Sequence, residues 1–192
     1  ASNEKEISYL TAKSIYEHID TDLYNPGLTD LSKFDPDNFD NETIFFIAVH
    51  GEGGEDGKIQ TLLENKKRKF TGSSSESCIL TWDKVATKRT LIVNDILTPQ
   101  FKSIKNNEHF DFNDSFFSEN EHYFVKPNFN GSSYGISKVS DKKFNEALKE
   151  AKNYSTEVII EKSVGIASNF TDKEYTDKGA ILAYNKNEVF KA

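Results

Sequence analysis

Residues 126–138, KPNFNGSSYGISK, put a lysine at the foot of a loop of small residues. Gly131 and Gly135 admit positive φ and close backbone approach. Asn130, Ser132 and Ser133 add short polar side chains and backbone N–H groups. Such a tip can fold over phosphate oxygens as a nest of N–H donors. Lys126 would meet the same phosphates as a point charge. The residues equally suit an Asn-Gly hairpin turn with a polar spacer, because a glycine-rich loop alone is a weak signal. A second set is His50 and Glu55 in the stretch HGEGGEDG, residues 50–57. They follow an apolar run, so they would stand at the carboxyl end of a strand, where ligands of parallel α/β sheets collect. A strand-end histidine with one satisfied hydrogen bond, and acids that cap a helix at Glu55 and Asp56, describe them as well.

The elements that would position these groups follow from periodicity. Residues 122–126 and 134–139 are the two strands of a hairpin around the loop. Residues 43–49, TIFFIAV, form a continuous apolar run, the pattern of a central strand in a parallel sheet. A helix follows over 58–65. Residues 2–19 predict an amphipathic helix with Ser2 as N-cap and an apolar face of Ile7, Leu10, Ala12, Ile15 and Ile19. Its Glu4 and Glu6 suit the helix dipole. Residues 20–43, with Pro26, Gly27 and Pro36, are loop. After a short strand at Phe70, residues 76–94 predict one helix bearing Cys78, Ile79, Trp82, Val85, Leu91 and Ile92. Asp83, Lys84, Lys88 and Arg89 then lie on a charged face, which is ordinarily solvated. Thr98-Pro99 marks a domain boundary, giving domains over 1–98 and 99–192. Residues 100–121 are expected to be a variable surface segment without a site. Phe144, Ala147, Leu148 and Ala151 make one stripe of a helix over 141–153. Residues 157–161 are a short buried strand ending on Glu161. Residues 164–178 are irregular, and 179–184 with 188–191 form a second hairpin. The class is α/β.

Composition limits the function. With 36% hydrophobic and 12% aromatic residues, the 192-residue chain can build a core. A net charge of −7 and a pI near 5.2 leave no basic face for nucleic acid, so any anion site must be local. The single cysteine, Cys78, excludes an internal disulfide framework and fits a reducing compartment. No apolar run approaches the ~20 residues needed to span a bilayer, and no signal peptide opens the chain, so no membrane association and a cytoplasmic location are expected. The chain opens on Ala1 and contains no Met, which is unusual at this length and leads to the expectation that segments are missing.

The ordered set of motifs resembles a known family. HGEGGEDGKIQ (50–60), Asp83-Lys84 with Thr87-Lys88, VKP…GSS…GISKV (125–139) and VIIEK (158–162) occur in the order found in D-alanine–D-alanine ligases. SNEKEIS (2–8) resembles the segment after that family's first glycine-rich strand. The resemblance implies an ATP-grasp fold: an N-terminal parallel α/β domain followed by a partial α+β central ATP-binding domain. It implies an ATP- and Mg2+-dependent ligase that joins two D-alanines through a D-alanyl phosphate for peptidoglycan synthesis, with D-alanine and ATP as substrates and a homodimer as the assembly. By the same resemblance, Lys84 and Lys126 would contact ATP phosphates and adenine-side groups. The Gly131-Ser132-Ser133 loop would close over the phosphates. Glu161, Lys162 and Val164 would lie along the adenine at an interdomain hinge. Glu4 would hold the first D-alanine's ammonium group, His50 would lie near its carboxylate, and Ser132 would join a network with Glu4.

Departures from the family pattern are visible. The ribose-binding glutamate, expected soon after the hinge, is matched only by a displaced Glu174. The initial Gly-Gly strand is missing, and no Mg2+ ligands of the family pattern lie in these residues. Two other readings therefore stand beside the ligase: a related ATP-grasp ligase with another acceptor, and a truncated, non-catalytic nucleotide-binding remnant.

Overall fold

The structure, a computed structural model, describes residues 4–106, 108, 115–118, 121–131, 133–140 and 143–164. The predicted Ser2 cap, Ser132, Glu174 and the predicted hairpin over 179–191 lie outside the described residues. Among the described residues no helix is long and apolar enough to cross a membrane.

The first part of the chain is helical around a very small sheet. Helix α1, Lys5–His18, is capped by Glu4 without a side-chain hydrogen bond, and none of its residues is buried. Its predicted apolar face is therefore open: Ile7 and Leu10 are exposed. Strand β1 is only Ile44–Phe45, far shorter than the run over 43–49 suggests, and it pairs in parallel with β2, Lys69–Phe70. The parallel pairing is the expected one. Its short length reflects the absence of any other described strand in that sheet to hold residues 46–49. Helix α2, Lys58–Asn65, forms over the expected residues and buries Ile59, Gln60 and Leu63.

The single helix expected over 76–94 is two helices. Helix α3, Ser75–Trp82, ends at Asp83, and α4, Lys84–Val93, begins there. Asp83 is extended (φ −88°, ψ 100°), and its side chain accepts a hydrogen bond from Ala86 N. A short acidic side chain competes for backbone N–H groups and so favours the cap over the helix interior. The break turns Lys84 from a residue on a continuous solvated face into the first residue of a new helix.

The second part is a four-stranded antiparallel sheet in the order β3-β6-β4-β5, from Phe101–Lys105, Glu157–Lys162, Tyr123–Pro127 and Ser137–Val139. The β4–β5 hairpin is the one expected. Strand β3 corrects the reading of residues 100–121 as surface segment: residues 101–105 form a five-residue ladder with β6, from Phe101 opposite Glu161 to Lys105 opposite Glu157. That pairing spans over fifty residues of sequence, so no local pattern announces it. Helix α5, Phe144–Lys152, lays Phe144, Ala147, Leu148 and Ala151 on one face of the sheet, against Tyr123, Val125, Val139, Val158, Ile160 and Ile104. Tyr123, Val125, Val158 and Ile160 are fully buried, and each such side chain contributes roughly 1.5–3 kcal/mol through burial. The opposite face of β4 and β6 carries Lys126 and Glu161.

Candidate functional site

On that opposite face Lys126 Nζ lies 3.2 Å from Glu161 Oε2, and Lys88 Nζ, reaching across from α4, lies 3.4 Å from the same oxygen. Each ammonium also stands over an aromatic ring, Lys126 over Phe124 and Lys88 over Phe101, both at 5.3 Å. Lys88 also donates to Thr98 Oγ1 (2.7 Å) and to the Pro99 carbonyl (3.1 Å), which ties the expected domain boundary to the sheet. Lys84 Nζ donates to the carbonyls of Asn128 (3.1 Å) and Asn130 (2.7 Å) at the base of the glycine-rich loop. Burial, reinforced by the Lys126 charge and opposed by Asp83, depresses its pKa to about 8. Burial also holds the Lys88 amine below its ordinary range, against the pull of Glu161. Three ammonium groups thus face two carboxylates, Glu161 and Asp83, and such a local excess of positive charge suits an anion.

A second cluster lies at the other end of the loop. Glu4 is 4% exposed, and its pKa is raised, first by burial and then by the neighbouring Glu55 carboxylate, with His50 opposing. A serine links these groups: Ser8 Oγ donates to the Glu4 carbonyl and accepts from His50 N, both at 2.9 Å. His50 Nε2 lies 3.0 Å from Thr11 Oγ1, and its Nδ1 lies 3.6 Å from Glu55 Oε1. The turn bearing His50 and Glu55 is fixed by α2, where buried Gln60 donates to the Gly54 carbonyl at 2.6 Å. Helix spacing explains the other half, since Glu4, Ser8 and Thr11 fall on one side of α1 at intervals of four and three.

The loop joins the two clusters. A Cβ at Gly131 would lie 3.1 Å from Glu4 Oε2 and 3.4 Å from Glu55 Oε2, so the absence of a side chain lets the loop backbone approach the carboxylates. At Gly135 (φ 70°) a Cβ would fall 2.6 Å from the Tyr154 ring and 2.9 Å from Pro127, so only glycine fits where the chain turns back into β5. The structure therefore brings Glu4, His50, Gly131, Lys84, Lys126 and Glu161 around one loop. Ser133, in the left-handed region (φ 61°), sits exposed on its outer side. Lys162 is not part of this face: its amine pairs with Glu121 at 3.1 Å and lies over the Phe116 ring on the α5 side of the sheet. Val164 is 67% exposed. Ser132 and Glu174 lie outside the described residues.

Several residues around the loop carry no clear mark in the sequence. Lys88 reads as part of a solvated helix face, yet it is buried and shares Glu161 with Lys126. Asn128, Ser8 and Thr11 give no signal, because the partners of Asn128 and Thr11 lie 29 to 45 residues away. A signal for Lys88 does exist, since its four-residue spacing from Lys84 puts both lysines on one side of α4. No group of three or more His, Cys, Asp or Glu side chains that could hold a metal ion occurs among the described residues.

Comparison with known proteins bears on this arrangement. A family model described as the D-ala D-ala ligase C-terminus matches residues 94–171. The chain is 34% identical over 176 residues to a D-alanine–D-alanine ligase of Marinomonas sp. (strain MWYL1), covering 85% of this chain and 53% of that protein. It is 33% identical over 163 residues to the D-alanine–D-alanine ligase of Methylacidiphilum infernorum (isolate V4), covering 83% and 51%. Its fold matches the crystal structure of the Bacillus anthracis D-alanine–D-alanine ligase complexed with ATP, with a TM-score of 0.74, 27% identity, and coverage of 86% of this chain and 56% of that one. The chain spans about half the length of the curated relatives it matches. Sequence identity over most of the chain, together with the shared fold, shows that it belongs to the D-alanine–D-alanine ligase family, with the ATP-grasp fold of that family.

Proposed function

We propose that these residues are the N-terminal domain (1–98) and part of the central nucleotide-binding domain (99–192) of an ATP-dependent ligase that joins two D-alanines through a D-alanyl phosphate. The observation that carries this reading is the placement of a lysine cluster and a buried carboxylate at the two ends of one glycine-rich loop. Lys84 and Lys126 neutralise the phosphate charge, and Lys88 adds to the same field. An acyl phosphate survives only where charge is neutralised and water excluded, and a loop closing over the phosphates serves both needs. Phe101 and Phe124, on the lysine side of the sheet, offer flat apolar surface to a base, and Glu161 offers an acceptor to its exocyclic amine. Val164 and the backbone of Lys162 continue that edge.

Glu4 suits the amino-acid end. Burial and the Glu55 carboxylate raise its pKa, and a substrate ammonium set against it would favour its charged form. His50 stands beside it for the substrate carboxylate, and Ser132 is assigned to the same network by the order of the motifs. Holding the ammonium fixes the approach of the reacting carboxylate to the phosphate. Glu174 is assigned to the ribose. No cluster of side chains that could hold Mg2+ occurs among the described residues, so within them the phosphate charge is met by the lysines. A cytoplasmic homodimer completes the reading, checked by sedimentation of the full-length protein. The decisive test is phosphate release by the full-length protein with ATP and magnesium. Release that depends on D-alanine and yields D-alanyl-D-alanine is expected; no D-alanine-dependent release would refute the ligase. ATP binding without turnover would favour the non-catalytic alternative.

A further inference from the structure

Asn128 follows Lys126 and Pro127 at the end of β4 and is fully buried. Its side chain has three partners. Oδ1 accepts from Val85 N at 2.8 Å, in the first turn of α4. Nδ2 donates to Asp83 Oδ1 at 3.0 Å and to Glu157 Oε2 at 3.4 Å. Its backbone joins the same seam: the N–H donates to the Glu157 carbonyl at 2.8 Å, and the carbonyl accepts from Lys84 N at 3.4 Å and Lys84 Nζ at 3.1 Å. Through these contacts one residue ties the α3–α4 corner, by Asp83, Lys84 and Val85, to the sheet, by Glu157, at the point where Lys84 leaves its helix. Accepting from an N-terminal helix N–H while donating to two carboxylates needs an acceptor and a donor on one uncharged group, and a primary amide is the side chain that has both. A carboxylate there would face Asp83 and Glu157 as a like charge.

We infer that Asn128 is a positioning residue for nucleotide binding: it sets the Lys84 amine against the loop carbonyls and beside Lys126, and it holds the first turn of α4 in register with β4. The functional readout rests on the ATP-binding reading above; the structural readout does not. Lys84 is joined to both Asn128 and Asn130, so displacing Asn128 displaces the lysine and the loop together. The depressed pKa of Lys84 supports this, because it depends on the amine staying packed against the seam.

The test uses the full-length protein with Asn128→Asp, and the exchange Asp83→Asn with Asn128→Asp. The exchange restores one amide and one carboxylate across the 83–128 pair, with the carboxylate now at position 128 still able to accept from Val85 N and, as in Asn128→Asp alone, still facing Glu157. ATP affinity is measured by calorimetry, the Lys84 titration by NMR of labelled lysine, and folding by thermal melting. Asn128→Asp is expected to weaken ATP binding about tenfold, the equivalent of one good buried hydrogen bond, and to move the Lys84 titration upward from about 8. The exchange is expected to bind ATP more tightly than Asn128→Asp alone, the coupling that contacting residues show. A lowered melting point with native ATP affinity and native Lys84 titration would overturn the inference, since Asn128 would then serve stability alone. An exchange that binds ATP no more tightly than Asn128→Asp alone would overturn it as well. Should Asn128→Asp not fold, Asn128→Ser carries the same readouts without added charge, and native affinity there would refute the role. If the native protein binds no ATP, the nucleotide reading falls, while an unmoved Lys84 titration in the variants would separately refute the positioning of Lys84 by Asn128.

Discussion

The two ends of the glycine-rich loop rest on very different ground. The lysine end stands on a sheet whose Tyr123, Val125, Val158 and Ile160 are fully buried under α5. The carboxylate end stands on α1, none of whose residues is buried, with Ile7, Tyr9 and Leu10 open to solvent. Glu4 is itself buried, but by the loop and the turn around His50 rather than by its own helix. A site of this kind uses both sorts of ground. Rigid ground fixes lysines where charge must be placed accurately, and thinly packed elements open locally at low free energy. A carboxylate that must admit and release an amino acid belongs on the second kind.

The contrast breaks most visibly in stability. Phe144→Ala removes a ring packed edge-on to Phe117 and against Tyr123, and about 3–5 kcal/mol of stability should go with it. Chemical denaturation reads this directly. A loss under about 1 kcal/mol, the size of an ordinary surface or near-surface change, would mean that the sheet is not the firm half of the molecule.

Next in size is the lysine cluster. Lys126→Ala leaves Glu161 with Lys88 as its remaining ammonium partner. ATP affinity in the full-length protein is expected to fall about a hundredfold, the scale of removing one preorganised electrostatic partner, with little change in melting. Equal losses in ATP and D-alanine affinity would blur the division between the two ends.

The titration of Lys84 sharpens it further. The folded pKa of about 8 lies below the ordinary 10.5, so the unfolded chain binds more protons between those values and stability rises with pH across that window. Nucleotide affinity should move the other way, because the ammonium that meets the phosphates is lost as pH climbs through 8. A roughly fivefold weakening of ATP binding between about pH 8 and pH 9 is expected, measured as Kd against pH, and Lys84→Arg should flatten the profile. A profile that stays level up to the ordinary lysine pKa of 10.5 would place the amine elsewhere.

Smallest is Leu10→Ala on the exposed side of α1. It should change stability by no more than about 0.5 kcal/mol. A cost near that of Phe144→Ala would show that α1 is as firmly held as the sheet and would erase the comparison.

The parts legible in sequence are those whose signal is local. The stripe of Phe144, Ala147, Leu148 and Ala151 predicts α5, and the alternation on either side of the loop predicts β4 and β5. The motif order assigns Glu4, His50, Lys84, Lys126 and Glu161 to one site, and the structure sets them around one loop. What escapes a local reading is non-local in origin. Strand β3 owes its form to β6, more than fifty residues later, and the break at Asp83 is fixed partly by Asn128, 45 residues away. Asn128 itself gives no signal until its three partners are seen. The apolar run over 43–49 overstates β1, because hydrophobicity signals burial and the described sheet covers only Ile44 and Phe45 with a partner strand.

The division of labour between the two ends is tested most directly by Glu4→Gln in the full-length protein, titrated separately with ATP and with D-alanine. Removing the Glu4 charge keeps the side chain's shape and should leave ATP affinity within about twofold of native while D-alanine binding falls at least about tenfold, as when a charged hydrogen-bond partner is lost. Native D-alanine affinity in Glu4→Gln, or an equal loss for ATP, would contradict the assignment of the amino acid to the carboxylate end and the nucleotide to the lysines.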